Sequence, residues 1–209
     1  MLRFYNFPSQ SSSDDTISKV GKNIVRMQLV HGNRVVAVGR KDVGKIIDNC
    51  DGLITNSPEI YLALSAADCL PIALFDPITN SIGFIHAGWR GLEKGVIRNS
   101  INLMVEKFKV NSEKLIVYIG PFICQKHYEV KSDVSGKFFA YPTALRNING
   151  KTFLDLGKVA KEQLVESGIN KNNIWFDGRC TFEDKNLFSY RRGDIKDRIN
   201  YLLKIPDSP

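Results

Sequence analysis

Residues that usually carry chemistry are scarce in this chain. Of 209 residues only four are cysteine and three are histidine. Cys50, Cys69, Cys124 and Cys180 form no Cys-x-x-Cys pair and no dense framework. That argues against a compact zinc finger or a disulfide-stapled secreted scaffold, and a reduced, cytoplasmic protein is the expectation. No run approaches the roughly 18 apolar residues of a membrane-spanning helix, and the N-terminus lacks a signal peptide's apolar core. No membrane partner is expected. The formal charge of +7 invites a nucleic-acid reading. The lysines are scattered, however, and no recognition helix, RNP-type aromatic motif or finger spacing accompanies them. Small anionic substrates suit the basic balance better than nucleic acid does.

What is present fits an ordinary globular chain, 43% hydrophobic and 24% charged, with no internal repeat and no dividing linker. One domain over 1–209 is expected, opening on a Ser-rich, loop-like leader over 1–23. Two β-rich runs from Ile24 to Val38 flank Gly32-Asn33 and put His31 at the end of the first strand. Short strands follow at 52–56 and 60–66. Leu70–Phe75 and Ile82–Ile85 read as adjacent strands joined around Asp76-Pro77. The first strong helical pattern spans Trp89–Phe108, with Leu92, Val96, Ile97, Ile101, Met104, Val105 and Phe108 near one stripe. A strand over 115–119, a short helix over 135–145, a helix from an Asp155 cap to Ser167 with Gly168 as its stop, and a strand over 173–176 complete the pattern.

The stretch Ala67–Gly91 concentrates the rare residues. Cys69 precedes one apolar run and His86 ends the next, so a fold-back would bring thiol and imidazole together. With His31 they make two imidazoles and one thiolate, a set that suits Zn²⁺ and leaves a fourth position for water or substrate. The rival reading is a thiol hydrolase with Cys69 as nucleophile and His86 as base. Copper fits less well, because a blue-copper site adds a weak axial ligand that the sequence does not identify. Asp68 is the candidate to orient a ligand histidine. The Trp89 helix would direct its first-turn amides at the same region, with Arg90 beside them to hold an anion. Cys124 and His127 could join a metal site or be loop residues, and Arg191, Arg192 and Arg198 are anion candidates or a solvated basic face.

The blocks Val-His-Gly-Asn-Arg-Val-Val (30–36), Asp-Gly-Leu-Ile-Thr (51–55), Ala-Asp-Cys-Leu-Pro-Ile (67–72), His-Ala-Gly-Trp-Arg-Gly (86–91), Ile-Gly-Pro (119–121), Tyr-Glu-Val (128–130), Cys-Thr (180–181) and Phe-Ser-Tyr-Arg-Arg (188–192) stand in the order of a known family. The chain resembles the YfiH-like, DUF152 or laccase-domain family, which includes purine nucleoside phosphorylases and the peptidoglycan editing factor. The resemblance implies an α/β (α+β) domain with mixed sheets packed against outer helices, and a zinc held by His31, Cys69 and His86. It implies phosphorolysis of adenosine, inosine, guanosine or methylthioadenosine to base and sugar 1-phosphate, with adenosine deamination as companion. Cys69, His86 and Arg90 are then the expected catalytic residues, Asn33 and Arg90 the substrate contacts, and a monomer or homodimer the expected state. The family also implies alternatives: hydrolysis of a UDP-MurNAc-L-Ser type precursor, or polyphenol oxidation. A metal-binding interaction module is the non-enzymatic alternative. The loop after Ile-Gly-Pro departs from the family pattern as Phe-Ile-Cys-Gln-Lys-His.

Overall fold

The computed structural model describes residues 5–7 and 23–206. In chain order come β1 (Tyr5–Phe7), β2 (Ile24–Met27), β3 (Val35–Ala37), β4 (Ile46–Ile47), β5 (Gly52–Thr55) and β6 (Tyr61–Ala66). The hairpin of β7 (Leu70–Asp76) and β8 (Ser81–Ala87) leads into α1 (Trp89–Glu93) and α2 (Val96–Phe108). Then follow β9 (Ile116–Ile119), β10 (Glu129–Val130), α3 (Ser132–Ser135), β11 (Leu145–Ile148), β12 (Lys151–Leu154), α4 (Leu156–Glu166), β13 (Ile174–Phe176) and β14 (Ile199–Leu203).

A six-stranded mixed sheet in the order β13-β9-β7-β8-β5-β3 lies at the centre. A five-stranded sheet, β1-β14-β6-β2-β4, covers one of its faces, and a small three-stranded sheet, β10-β12-β11, stands apart. Strand alternation decides which residues meet which layer. Leu53, Ala73, Ile82 and Phe84 of the central sheet pack with Val25, Leu62, Leu64, Tyr201 and Leu203 of the five-stranded sheet. Their neighbours Ile54, Ile72, Leu74 and Ile85 point the other way, onto Leu92, Val96, Ile97, Ile101 and Met104 of the helices. β7 and β8 are therefore covered on both faces, which is why they read as nearly unbroken apolar runs. Each large side chain fully buried there contributes about 1.5–3 kcal/mol. The expected arrangement of mixed sheets and outer helices is the one observed, with a second sheet as the third layer.

Four expectations change in detail. The leader falls almost wholly outside the described residues, but within it Tyr5–Phe7 pairs antiparallel with β14. The first strand ends at Met27, so His31 lies in the segment that carries the chain from the five-stranded to the six-stranded sheet. The helix expected over 89–108 breaks in two, because Gly95 turns left-handed at φ 78° before α2 begins. The short helix expected over 135–145 starts earlier, over Ser132–Ser135, and gives way to 3-10 turns at Gly136–Phe138 and Pro142–Ala144. The α4 reading holds: Asp155 accepts from the Lys158 amide at 3.0 Å, and Leu156, Val159, Ala160 and Leu164 are buried.

Candidate metal centre

The β7–β8 hairpin sets Pro71 opposite His86 and Leu70 opposite Ala87, so Cys69 and His86 meet at one end of the sheet. β5 lies on the other side of β8 with Gly52 opposite Ile85, which delivers Asp51 beside His86. Asp51 is fully buried. Its Oδ1 accepts from the His31 amide at 2.9 Å and pairs with His86 Nδ1 at 2.9 Å. Its Oδ2 accepts from the Gly32 amide at 2.7 Å and the Val30 amide at 3.3 Å. One carboxylate thus places both histidines, the first by its backbone and the second by its ring. Burial alone would raise the Asp51 carboxyl, but His86 and the Gly32 and Val30 amides hold it below its ordinary 3.8. His31 accepts a left-handed φ of 55° to reach its place.

The ligand atoms of His31, Cys69 and His86 all lie within 4.8 Å of one another. The imidazoles meet edge to face, centroids 4.9 Å apart at 85°. Because Asp51 occupies Nδ1 of His86, Nε2 is left for an ion, the arrangement that fixes a ligand tautomer. Burial pushes the Cys69 thiol up, yet His86 and His31 bring it down to about 6. Burial likewise pulls His86 down, while the Cys69 thiolate and Asp51 carry it up to about 9. The sulfur is thus in the form that binds metal or acts as a nucleophile. Space at the centre is guarded by Gly88, where a Cβ would fall 2.8 Å from Cys69 Sγ. The residues present fit a divalent ion with one coordination place open.

Arg90 is exposed and stacks its guanidinium 4.3 Å over the Trp89 ring. Both line a cleft of about 460 Å³ with Tyr128, Glu129, Lys131 and Arg191. The cleft borders the centre: burial and then the Cys69 charge hold the Tyr128 hydroxyl well above its usual range. α1 has only five residues, so the long helix expected to aim its dipole at an anion is not there. Charge for an anion falls to side chains. Asn33 donates its amide to the Lys94 carbonyl at 2.7 Å and its own carbonyl accepts from Asn99 at 2.9 Å, which ties the His31 loop to the helix break.

Asp68 does not orient a histidine. It accepts from Thr181 Oγ1 at 2.6 Å and from the Arg191 amide at 2.8 Å, at a φ of 84°. It fastens the turn before Cys69 to two distant loops. Asp51 has the role expected of Asp68, and the Asp-Gly pair opening an apolar run was the only local signal for it. Of the three arginine candidates Arg191 faces the cleft and stacks 5.0 Å over Tyr128. Arg192 donates to the carbonyls of Thr181, Phe182, Leu187 and Asp184 and pairs with Asp194, and Arg198 donates to the carbonyls of Asp194, Ile195 and Asp197. Cys124 and His127 stay apart from this centre and meet Glu183 instead.

Residues 12–199 match the family described as multi-copper polyphenol oxidoreductase laccase. The chain is 32% identical over 176 residues to the purine nucleoside phosphorylase YlmD of Bacillus subtilis, covering 78% of this chain and 63% of that protein. It is 30% identical over 204 residues to a purine nucleoside phosphorylase of Aquifex aeolicus, covering 93% of this chain and 94% of that one. The chain therefore spans less than two thirds of the Bacillus relative's length and nearly all of the Aquifex one. Among solved structures it is similar to YfiH of Bacillus licheniformis at a TM-score of 0.84 and 27% identity, over 88% of this chain and 75% of that one. No helix among the described residues is long and apolar enough to cross a membrane.

Proposed function

The chain belongs to the multi-copper polyphenol oxidoreductase laccase family, which includes the YfiH and DUF152 proteins, and from that premise we propose that it is a zinc-dependent purine nucleoside phosphorylase. The observation that carries the reading is the convergence of His31, Cys69 and His86 beside a cleft where Arg90, Lys131 and Arg191 outnumber Glu129 and Asp133 and where Trp89 and Tyr128 offer aromatic faces. Two imidazoles and a thiolate with an open place favour zinc. Copper electron transfer uses a weak axial ligand such as methionine, and Met27 and Met104 lie in the two cores instead. When bound, zinc supplies a Lewis acid and a water of lowered pKa at this centre.

The chain's own residues divide the rest of the work. Arg90, Lys131 and Arg191 provide positive charge for phosphate, and Trp89 and Tyr128 provide flat faces for a purine. In phosphorolysis a phosphate oxygen bonds to the sugar carbon while the glycosidic bond breaks, its electron pair leaving with the base. The departing base takes a proton, and Tyr128, kept protonated, is the hydroxyl in the cleft able to donate it. Asp51 acts through His86 and is a positioning residue. Adenosine, inosine, guanosine and methylthioadenosine are the proposed substrates, with adenosine deamination as a companion activity and Asn33 offering its remaining side-chain oxygen to substrate.

The test is adenosine cleavage by the zinc-loaded chain with and without inorganic phosphate, with products separated by chromatography. Adenine and ribose 1-phosphate should form only with phosphate, inosine should mark deamination, and Cys69→Ala should remove both. Product formation that survives in that variant, or hydrolysis of a UDP-amino sugar carrying L-Ser with adenosine untouched, overturns the reading.

A further inference from the structure

β9 and β13 are parallel neighbours with Ile119 opposite Phe176, so the loops leaving their C-terminal ends run side by side. Phe122 forms a bridge to Cys180, and the Thr181 amide donates to the Phe122 carbonyl at 3.1 Å. Each loop then makes the same small turn. In Cys124-Gln-Lys-His127 the His127 amide donates to the Cys124 carbonyl at 3.1 Å, and in Cys180-Thr-Phe-Glu183 the Glu183 amide donates to the Cys180 carbonyl at 3.1 Å. Two Cys-x-x-ligand turns face each other across the pair of loops.

The side chains converge. Ligand atoms of Cys124, His127 and Glu183 all lie within 4.8 Å of one another. Cys180 Sγ lies alongside and accepts from the Cys124 amide at 3.2 Å. His127 Nε2 is 2.9 Å from Glu183 Oε1, and its ring stacks 4.3 Å from Phe182. Lys126 also reaches Glu183 Oε1 at 3.0 Å, from a side chain exposed enough to swing away.

We propose that Cys124, His127 and Glu183 form a second metal site for a zinc-class divalent cation, with Cys180 held alongside by its bond from the Cys124 amide. One sulfur, one imidazole and one carboxylate suit zinc better than the all-oxygen sets that magnesium and calcium take. The Cys124 thiol proton passes to solvent as its sulfur coordinates. The site staples loops that matter to the first centre, because Ile123 donates its amide to the Asp68 carbonyl at 3.1 Å and Thr181 holds the Asp68 carboxylate, one residue before Cys69. It stands independently of the reaction assigned to that centre.

The test uses the full chain carrying Cys69→Ser, stripped of metal under reductant and titrated with Co²⁺ alone. Removing Cys69 silences the only sulfur of the first centre. One equivalent of Co²⁺ should give thiolate-to-cobalt absorption that Zn²⁺ displaces. The band should vanish on adding C124S and weaken at least about tenfold in affinity on adding H127Q. In parallel, elemental analysis of the chain with Cys69 intact should find two equivalents of zinc, falling to one in H127Q and in E183Q. Absence of the band in a chain whose circular dichroism shows it folded, a band indifferent to C124S, or one equivalent in the intact chain overturns the proposal. So does a Cys124–Cys180 disulfide that, once reduced, takes up no metal, or metal uptake unchanged in E183Q and H127Q, which would leave those residues an ion pair only.

Discussion

The two cysteine-histidine clusters of this chain use the same residue types in opposite surroundings. At the first, a fully buried carboxylate with all four acceptor positions filled stands behind both histidines, and two imidazoles bring the thiol to about 6. At the second, burial and the neighbouring Cys180 push the Cys124 thiol up to about 12, and the carboxylate is half exposed and shared with a lysine. The first stands beside a cleft lined by Arg90, Lys131 and Arg191, whereas the second is built on two neighbouring loops after β9 and β13. Residue identity therefore does not set reactivity; the charges and burial around each sulfur do.

The sharpest way to break this contrast is alkylation of the metal-free chain. Near pH 7 Cys69 should react with iodoacetamide with a midpoint about pH 6, while Cys124 and Cys50, raised to about 12 and about 11, stay unmodified. Thiolate populations differing by about 10⁵ separate Cys69 from Cys124 at that pH. Equal labelling in peptide mass spectrometry would erase the distinction.

Next in size, Cys69→Ala should lower phosphate-dependent cleavage at least about 10³-fold, the several kcal/mol that a bound Lewis acid supplies. Removing the second site with Cys124→Ser should leave the first centre's metal in place by elemental analysis. Asp51→Asn strands His86 and should cost about 3–5 kcal/mol in urea unfolding. The Asp51 carboxyl sits below its ordinary 3.8 in the folded chain. Its stabilisation is therefore complete above that value and is lost as pH falls through the depressed one, so acid should destabilise the parent more steeply than the variant. Arg90→Ala should raise the KM for phosphate about tenfold with metal content unchanged, since a guanidinium-phosphate contact is worth roughly 1.4 kcal/mol or more. The smallest effect belongs to Asn33→Ala, about 1 kcal/mol in stability from the lost bond to Lys94.

Much of the first centre was legible because its geometry follows from local patterns. Two apolar runs joined by an Asp-Pro turn specify a hairpin, and a hairpin fixes Cys69 beside His86. The Asp155 cap and the stripe behind it likewise gave α4. The helix break at Gly95 was less visible, since a lone glycine inside a helical stripe costs only about 1 kcal/mol. At the break, Gly95 takes a left-handed φ of 78° and the Lys94 carbonyl accepts from Asn33, a residue of a loop far away in sequence.

The sequence by itself determined the hairpin, the capped helix and the family motifs, because turn chemistry, capping and side-chain period act between residues close along the chain. Only the tertiary structure decided that β5 lies against β8, which makes Asp51 the partner of His86, and that β13 lies beside β9, which gathers Cys124, His127, Cys180 and Glu183. Such pairings are chosen by how whole faces bury against one another, and no spacing between the residues concerned encodes them.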